Sequence, residues 1–348
     1  MRHFLRSTLL FSTVLFACSA FADRQVTDQL GRQVTVPDRV DRVVVLQHQT
    51  LNLLVQLDAT NTMVGVLNNW KQQLGEGYQR LVPELTSLPT LGDLTHVDVE
   101  KLVALHSQVV FVTNYAPQEM IEQIQKLGIA VIAISLRADN NQQNRLNPDL
   151  ANEEQAYSEG LKEGIRLIGE VVNHQQQAES LIEATFSQRQ QTDDRLKTLP
   201  VSQRIRTYMA NPDLTTYGSG KYTGLMMAHA GALNVAAATV KGYKQVSMEQ
   251  ILAWNPQVIF VQDRYPQVIK EIQQQPAWQA VDAVKHHRVY LMPEYAKAWG
   301  YPMPEALALG ELWMAKKLYP EKFRDIDMQK KADEWYQRFY RMPYRGNN

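Results

Sequence analysis

The chain says one thing twice. Residues 97–118 read VDVEKLVALHSQVVFVTNYAPQ and residues 246–267 read VSMEQILAWNPQVIFVQDRYPQ, so Val, Glu, Ala, Gln, Val, Phe, Val, Pro and Gln recur at a constant spacing of 149 positions. Each copy reads as a capped short helix, an apolar strand, a polar loop carrying an aromatic, and a second helix. A long-period duplication of such a unit constrains the chain to two similar α/β lobes, and two lobes facing each other enclose a cleft. The equivalent loops, 113–117 and 262–266, follow the carboxyl ends of their strands. That is where open α/β sheets take ligands.

The rest of the chain fits this frame. Residues 25–36 alternate polar and apolar around Leu30-Gly31 and read as a small hairpin. Apolar runs at 42–46, 63–67, 109–113 and 130–135 read as strands, separated by helices at 47–58, 98–106 and 118–127. A second set begins with a strand at 205–210, a helix from Gly224, the second repeat copy, a strand at 289–292 and a helix at 304–318, and it ends in an amphipathic helix at 327–340. Short apolar strands alternating with helices predict a mainly parallel, doubly wound sheet in each lobe. Between the sets lie a polar stretch, 137–152, and helices at 153–172 and 173–199. Ala178, Leu181, Ile182, Thr185, Phe186 and Arg189 recur at helical spacing. The expected organisation is a leader at 1–22, an N-terminal lobe at 23–172, a long connecting helix at 173–199 and a C-terminal lobe at 200–348. The runs Leu225-Met226-Met227 and Leu312-Trp313-Met314 read as helical core.

The first residues, MRHFLRSTLLFSTVLFACSAFA, carry two arginines, a short apolar run and Ala20-Phe21-Ala22, the pattern of a secretory signal peptide with cleavage after Ala22. The alternative is a lipobox ending at Cys18, which would leave a lipid anchor. Cys18 is the single cysteine, so the mature chain has neither a disulfide nor a thiolate metal site. Lys and Arg balance Asp and Glu at 36 each, which gives no bulk electrostatic attraction to nucleic acid. The eight histidines are scattered. His286-His287 read as an exposed loop, and no HExxH or acidic cluster suggests a metal.

Two lobes, one connecting helix and a signal peptide resemble the periplasmic binding proteins that serve ABC importers of metal chelates and cobalamin, specifically the class with a rigid interlobe helix. The VxxExxxAxxPxxV-type units stand at 97–109 and 246–258; the first departs from the pattern with Ser107 in place of Pro. A Gly-Ser loop before a helix stands at Tyr217-Gly218-Ser219-Gly220. Within the family, TYMANPDLTTYGSGKYTGLMM and PEYAKAWGYPMPEALALG resemble the molybdate- and tungstate-binding members. The resemblance implies a monomeric binding protein of the periplasm that is not an enzyme and carries no cofactor. It would hold molybdate or tungstate between its lobes and deliver it to a permease-ATPase complex. It also implies that Glu100 and Glu249, which otherwise read as first-turn acids offsetting a helix dipole after the N-caps Asp98 and Ser247, dock on that permease. Ferric siderophore, haem or cobalamin remain alternative ligands. A two-lobed hydrolase is a further alternative, against which stands the absence of GxSxG, of paired cleft carboxylates and of a metal cluster.

The residues expected at the ligand follow from oxyanion chemistry. Arg264 lies in the repeated loop opposite Tyr115 and offers a planar fork of donors that keeps its charge; an ion pair with Asp263 is its plain alternative. His48 follows the first strand, at a turn where a helix N-terminus favours anions; it could donate to an oxyanion or ligate a metal, and a satisfied turn residue is its plain alternative. Tyr115 and Tyr217 supply neutral hydroxyls from loops, Trp70 and Trp299 could wall the pocket from loops, and Asn68 and Asn114 are further donors. Lys221 and Tyr222 are also placed to face the cleft.

Overall fold

The computed structural model describes residues 23–139 and 147–346. The expected cleavage after Ala22 and the Cys18 alternative therefore lie outside the described residues. β1 (Asp23–Thr27) and β2 (Gln33–Pro37) form the expected hairpin. Then come β3 (Val43–Val45), α1 (His48–Gln56), β4 (Met63–Val66), α2 (Trp70–Leu74), α3 (Val99–Ala104), β5 (Val109–Thr113), α4 (Gln118–Lys126) and β6 (Ala130–Ile134). Two long helices follow, α5 (Glu153–Val171) and α6 (Gln175–Leu196). The second half holds β7 (Ile205–Ala210), β8 (Thr215–Tyr217), α7 (Tyr222–His229), β9 (Ala232–Asn234), β10 (Tyr243–Gln245), α8 (Met248–Trp254), β11 (Val258–Val261), α9 (Pro266–Gln274), α10 (Asp282–Lys285) and β12 (Val289–Leu291). The chain closes with α11 (Glu311–Leu318) and α12 (Met328–Phe339).

The duplication is deeper than the sequence repeat. One four-stranded parallel sheet has the order β4-β3-β5-β6 and the other β9-β7-β11-β12. In each, the second strand flanks the first, and the third and fourth lie on the other side. The strand order therefore reverses between β3 and β5, and again between β7 and β11. The crevices at these switch points open at the carboxyl ends of the strands. That edge carries His48 and Tyr115 in one lobe and Arg264 in the other.

Side chains along each strand alternate between two faces. Val44, Leu46, Val110, Val112 and Val131 pack in a cluster confined to the first sheet, and Tyr208, Ala210, Ile259 and Val261 in one confined to the second. The opposite faces, with Val43, Val45, Phe111 and Ile132 on one sheet and Met209, Val258 and Phe260 on the other, join a single cluster that runs through both lobes. Leu161 and Ile165 of α5, Leu181 of α6, Leu312 of α11, and Trp335 and Tyr336 of α12 complete it. A wide hinge opening would expose part of this shared core to water.

Several expectations change. α6 spans 22 residues, about 33 Å, rather than 173–199, and it packs against α5. α7 starts at Tyr222, ahead of Gly224. The helix expected at 304–318 contains a π-helical turn at Ala306–Gly310 before α11. Tyr217 ends strand β8, paired antiparallel with β10, rather than lying in a loop; three residues are too few for a period-two signal. Trp70 opens α2 rather than sitting in a loop, and it is buried in the shared core. His286 and His287 are exposed, as expected.

Candidate functional site

The cleft is built on three consecutive residues, Trp299-Gly300-Tyr301, in an irregular segment after β12. Two hydrogen bonds hold this segment to the start of α7: the Tyr222 N–H donates to the Gly300 carbonyl at 3.2 Å, and the Gly300 N–H donates to the Thr223 hydroxyl at 2.9 Å. Gly300 has φ of +80°, and an added Cβ would meet the Tyr217 ring at 3.0 Å. Both conformation and contact therefore require glycine there.

Each ring beside Gly300 carries a cation. The Arg264 guanidinium carbon lies 5.7 Å from the Trp299 ring, and the Lys221 ammonium lies 5.0 Å from the Tyr301 ring. His48, from the first lobe, meets Trp299 edge-on with centroids 5.2 Å apart. Tyr115, also from the first lobe, lies within electrostatic reach of Tyr301, as does Tyr217. The structure thus gathers His48, Tyr115, Tyr217, Arg264 and Trp299 about one segment. Trp70 is buried in the same core cluster as Trp299, and the Lys71 ammonium lies 5.6 Å from its ring. Asn68 is exposed, and Asn114 is buried at the end of β5.

Donors outnumber partners here. His48 Nδ1, Trp299 Nε1 and the Tyr301 hydroxyl are buried without a hydrogen-bond partner among the described residues. Each such group costs about 1–3 kcal/mol when left unmet, so a ligand rich in acceptors would recover that cost. Arg264 Nε donates to Gln262 Oε1 at 3.0 Å, and its Nη1 to the Gln73 carbonyl at 3.4 Å. The Asp263 ion pair does not form among the described residues; that carboxylate instead turns toward Gly75. A groove of about 250 Å³, lined by Leu74 to Tyr78 of one lobe and by Asp263, Arg264 and Glu294 of the other, reaches Arg264.

Burial, then the positive charges of Arg264 and Lys297, hold the His48 imidazole near a pKa of 3. It is a neutral donor at physiological pH, not a second charge. Burial also raises the Tyr115, Tyr217 and Tyr301 phenols, which stay protonated and able to donate. Lys297, which the sequence reading passed over, lies 4.8 Å from the Trp299 ring and 3.5 Å from the buried Glu305 carboxylate. Glu305 in turn accepts from Asn52, Gln56 and Tyr340. Lys297 and Tyr301 both stand in the PEYAKAWGYPMPEALALG segment; the signal was present, but nothing local in it says which side chains turn inward.

A family model for the periplasmic binding protein matches residues 43–296. The chain belongs to the periplasmic binding protein family. This binding protein is 58 % identical over 340 residues to the molybdate-binding protein MolA of Haemophilus influenzae, covering 97 % of this chain and 96 % of that one. The solved structure of MolA bound to molybdate superposes with a TM-score of 0.91 over 93 % of this chain and 100 % of that chain. A periplasmic solute-binding protein from Veillonella parvula shares the fold at 23 % identity and a TM-score of 0.75, covering 93 % of this chain and 94 % of that one.

The repeated acids occupy matching positions. Asp98 caps α3 by accepting from the Lys101 N–H, and Ser247 caps α8 through a full capping box with Gln250. Glu100 and Glu249 sit exposed in the first turns of these helices. One turn later, Val103 and Leu252 are exposed at 52 % and 38 %, which is unusual for aliphatics at equivalent positions of both repeats.

Proposed function

We propose that this chain is the substrate-binding component of an ABC importer and that it holds molybdate or tungstate between its lobes. The observation that carries the reading is the set of buried, unpartnered donors around Trp299 with Arg264 beside them, in a chain 58 % identical to a molybdate-binding protein. A tetrahedral dianion presents several acceptors and no donors, so it needs neutral donors and a fixed cation, and it needs no metal ligands. His48, Tyr115, Tyr217 and Arg264 are the contacts, with Trp299 and Trp70 as walls.

Delivery completes the reading. Glu100 and Glu249 dock on a permease-ATPase complex in the inner membrane, one acid on each of two like subunits. Their repeated geometry, and the exposed Val103 and Leu252 beside them, support this. The protein acts as a monomer, with lobes at 23–172 and 200–348 joined by the helix between. The strands of the first sheet all precede α5 and those of the second all follow α6, in keeping with that division. Export by the N-terminal segment would yield a mature chain beginning at Asp23, and intact mass distinguishes this from lipidation at Cys18.

Calorimetry of the mature protein against molybdate, tungstate, sulfate, phosphate, ferric siderophores and cobalamin tests the ligand. Stoichiometric binding of molybdate and tungstate, with weaker binding of the smaller sulfate, is expected. Binding of a siderophore or cobalamin with no response to molybdate would overturn the oxyanion reading.

A further inference from the structure

Lys221, which stands over the Tyr301 ring, has been given no role toward the ligand, and its setting is unusual. It is 4 % exposed, at the N-cap of α7. Among the described residues neither a carboxylate nor a hydrogen-bond acceptor meets its ammonium, whose neighbour is the Tyr301 ring. A buried, unpaired ammonium is costly. The local acids are engaged elsewhere: Glu153 accepts from the Gly220 N–H at 2.7 Å, and Asp139 pairs with Arg137 at 3.1 Å. Arg137 lies close enough for its charge to repel Lys221.

The position is informative because of the segment beneath it. Arg264 stands over Trp299 and Lys221 stands over Tyr301, two residues further on. Trp299 and Tyr301 flank Gly300, on which Tyr217 packs, so the two cations stand over neighbouring rings of one short segment of the cleft. The other cleft cation, Lys297, is engaged with Glu305, and Arg137 is engaged with Asp139. Of these four cations, Arg264 and Lys221 have no carboxylate within ion-pair distance among the described residues.

We infer that Lys221 is the second cation of the oxyanion site, and that it makes the cleft prefer a doubly charged tetrahedral anion over a singly charged one of the same shape. This rests on the oxyanion reading above. Arg264 provides the charge that any anion needs; Lys221 provides the charge that only a dianion uses in full.

Burial, then Arg137, lowers the Lys221 ammonium to a pKa of about 8. Lys221 is thus charged at neutral pH and loses its charge just above it. The Tyr115, Tyr157, Tyr217, Tyr222 and Tyr301 phenols around it are all raised above their ordinary values and stay protonated over that range. The charged groups on the neighbouring elements are Arg137, Asp139 and Glu153. His229, at the far end of α7, is raised to about 9, but it faces Glu154, Glu311 and Arg189 rather than the cleft.

Perrhenate is a tetrahedral monoanion close to molybdate in size, so the pair isolates charge from shape. Calorimetry with both ions at pH 7 should give the parent a clear preference for molybdate. Lys221→Gln should weaken molybdate about tenfold or more while changing perrhenate little, and Lys221→Arg should keep the preference. In the parent, molybdate affinity should fall between pH 7 and pH 9.5 more steeply than perrhenate affinity, which reads the same property without any variant. An unchanged ion ratio in a folded Lys221→Gln protein, or parallel pH profiles for both ions in the parent, would overturn the role of Lys221 and leave the oxyanion reading standing. A parent that binds neither ion would overturn both.

Discussion

The Asn52 side-chain amide donates to the Glu305 carboxylate at 2.8 Å, and both residues are fully buried. They come from opposite halves of the chain: Asn52 from α1, directly behind the first sheet, and Glu305 from the turn that leads into α11. Gln56 also donates to Glu305 and Tyr78 to Asn52, and the single Tyr340 hydroxyl proton is shared between the Glu305 carboxylate at 2.6 Å and the Asn52 side-chain oxygen at 2.8 Å. Lys297 completes the group, so the charge beneath Trp299 is balanced by a carboxylate that also ties the lobes together. Glu305→Ala would leave the buried Lys297 unpaired and several donors unmet. It should cost about 3–5 kcal/mol in chemical denaturation, the usual scale for breaking a buried pair by removing one partner. Glu305→Gln should recover a part, since it retains an acceptor oxygen. A variant with parental stability would show that this network does not join the lobes.

Removing Arg264 should act on binding rather than on folding, because its bonds go to Gln262 and to a backbone carbonyl, with no carboxylate left behind. Arg264→Ala should weaken molybdate binding by about 2 kcal/mol, roughly thirtyfold in Kd. Arg264→Lys should restore only part of this, since an ammonium lacks the planar fork. Titration calorimetry decides it; parental affinity in Arg264→Ala would remove the residue from the site.

The repeated acids make the opposite prediction. Glu100→Ala combined with Glu249→Ala should leave molybdate affinity unchanged, since both side chains are exposed on helix starts and outside the cleft. The same double variant should lose stimulation of the transporter ATPase in reconstituted vesicles, because rim charges guide docking. Full stimulation would reduce the two acids to partners of their own helix dipoles.

His48 links the site to stability at low pH. Its folded pKa is near 3 against an ordinary value of 6.5, so between these values the unfolded chain binds the proton that the folded chain refuses. Stability from this residue is therefore intact above pH 6.5 and falls as pH drops toward 3, by up to about 1.4 kcal/mol per pH unit. Thermal unfolding at pH 7 and pH 4.5 should show a smaller loss in His48→Asn than in the parent. Equal losses would mean that the imidazole is not held neutral by its burial.

The duplication, the parallel strands and the two capped acids were legible in the sequence because each rests on local rules. A strand such as Val109–Thr113 announces itself by an apolar run, and a cap such as Ser247 by its spacing to Gln250. Arg264, His48 and Trp299 could be placed near the cleft because loops after parallel strands open on one edge of the sheet. What the tertiary structure decided was pairing. Whether a lysine is buried beside a carboxylate, as Lys297 is, or beside a ring with no carboxylate, as Lys221 is, depends on residues far away in the chain. Glu305 meets Asn52 across most of the chain's length, and Tyr301 meets Lys221 only because Gly300 is fastened to the start of α7. Burial and charge compensation are properties of such distant neighbours. The sequence therefore named the fold and the kind of site, and only the folded chain showed which charges are left for the ligand.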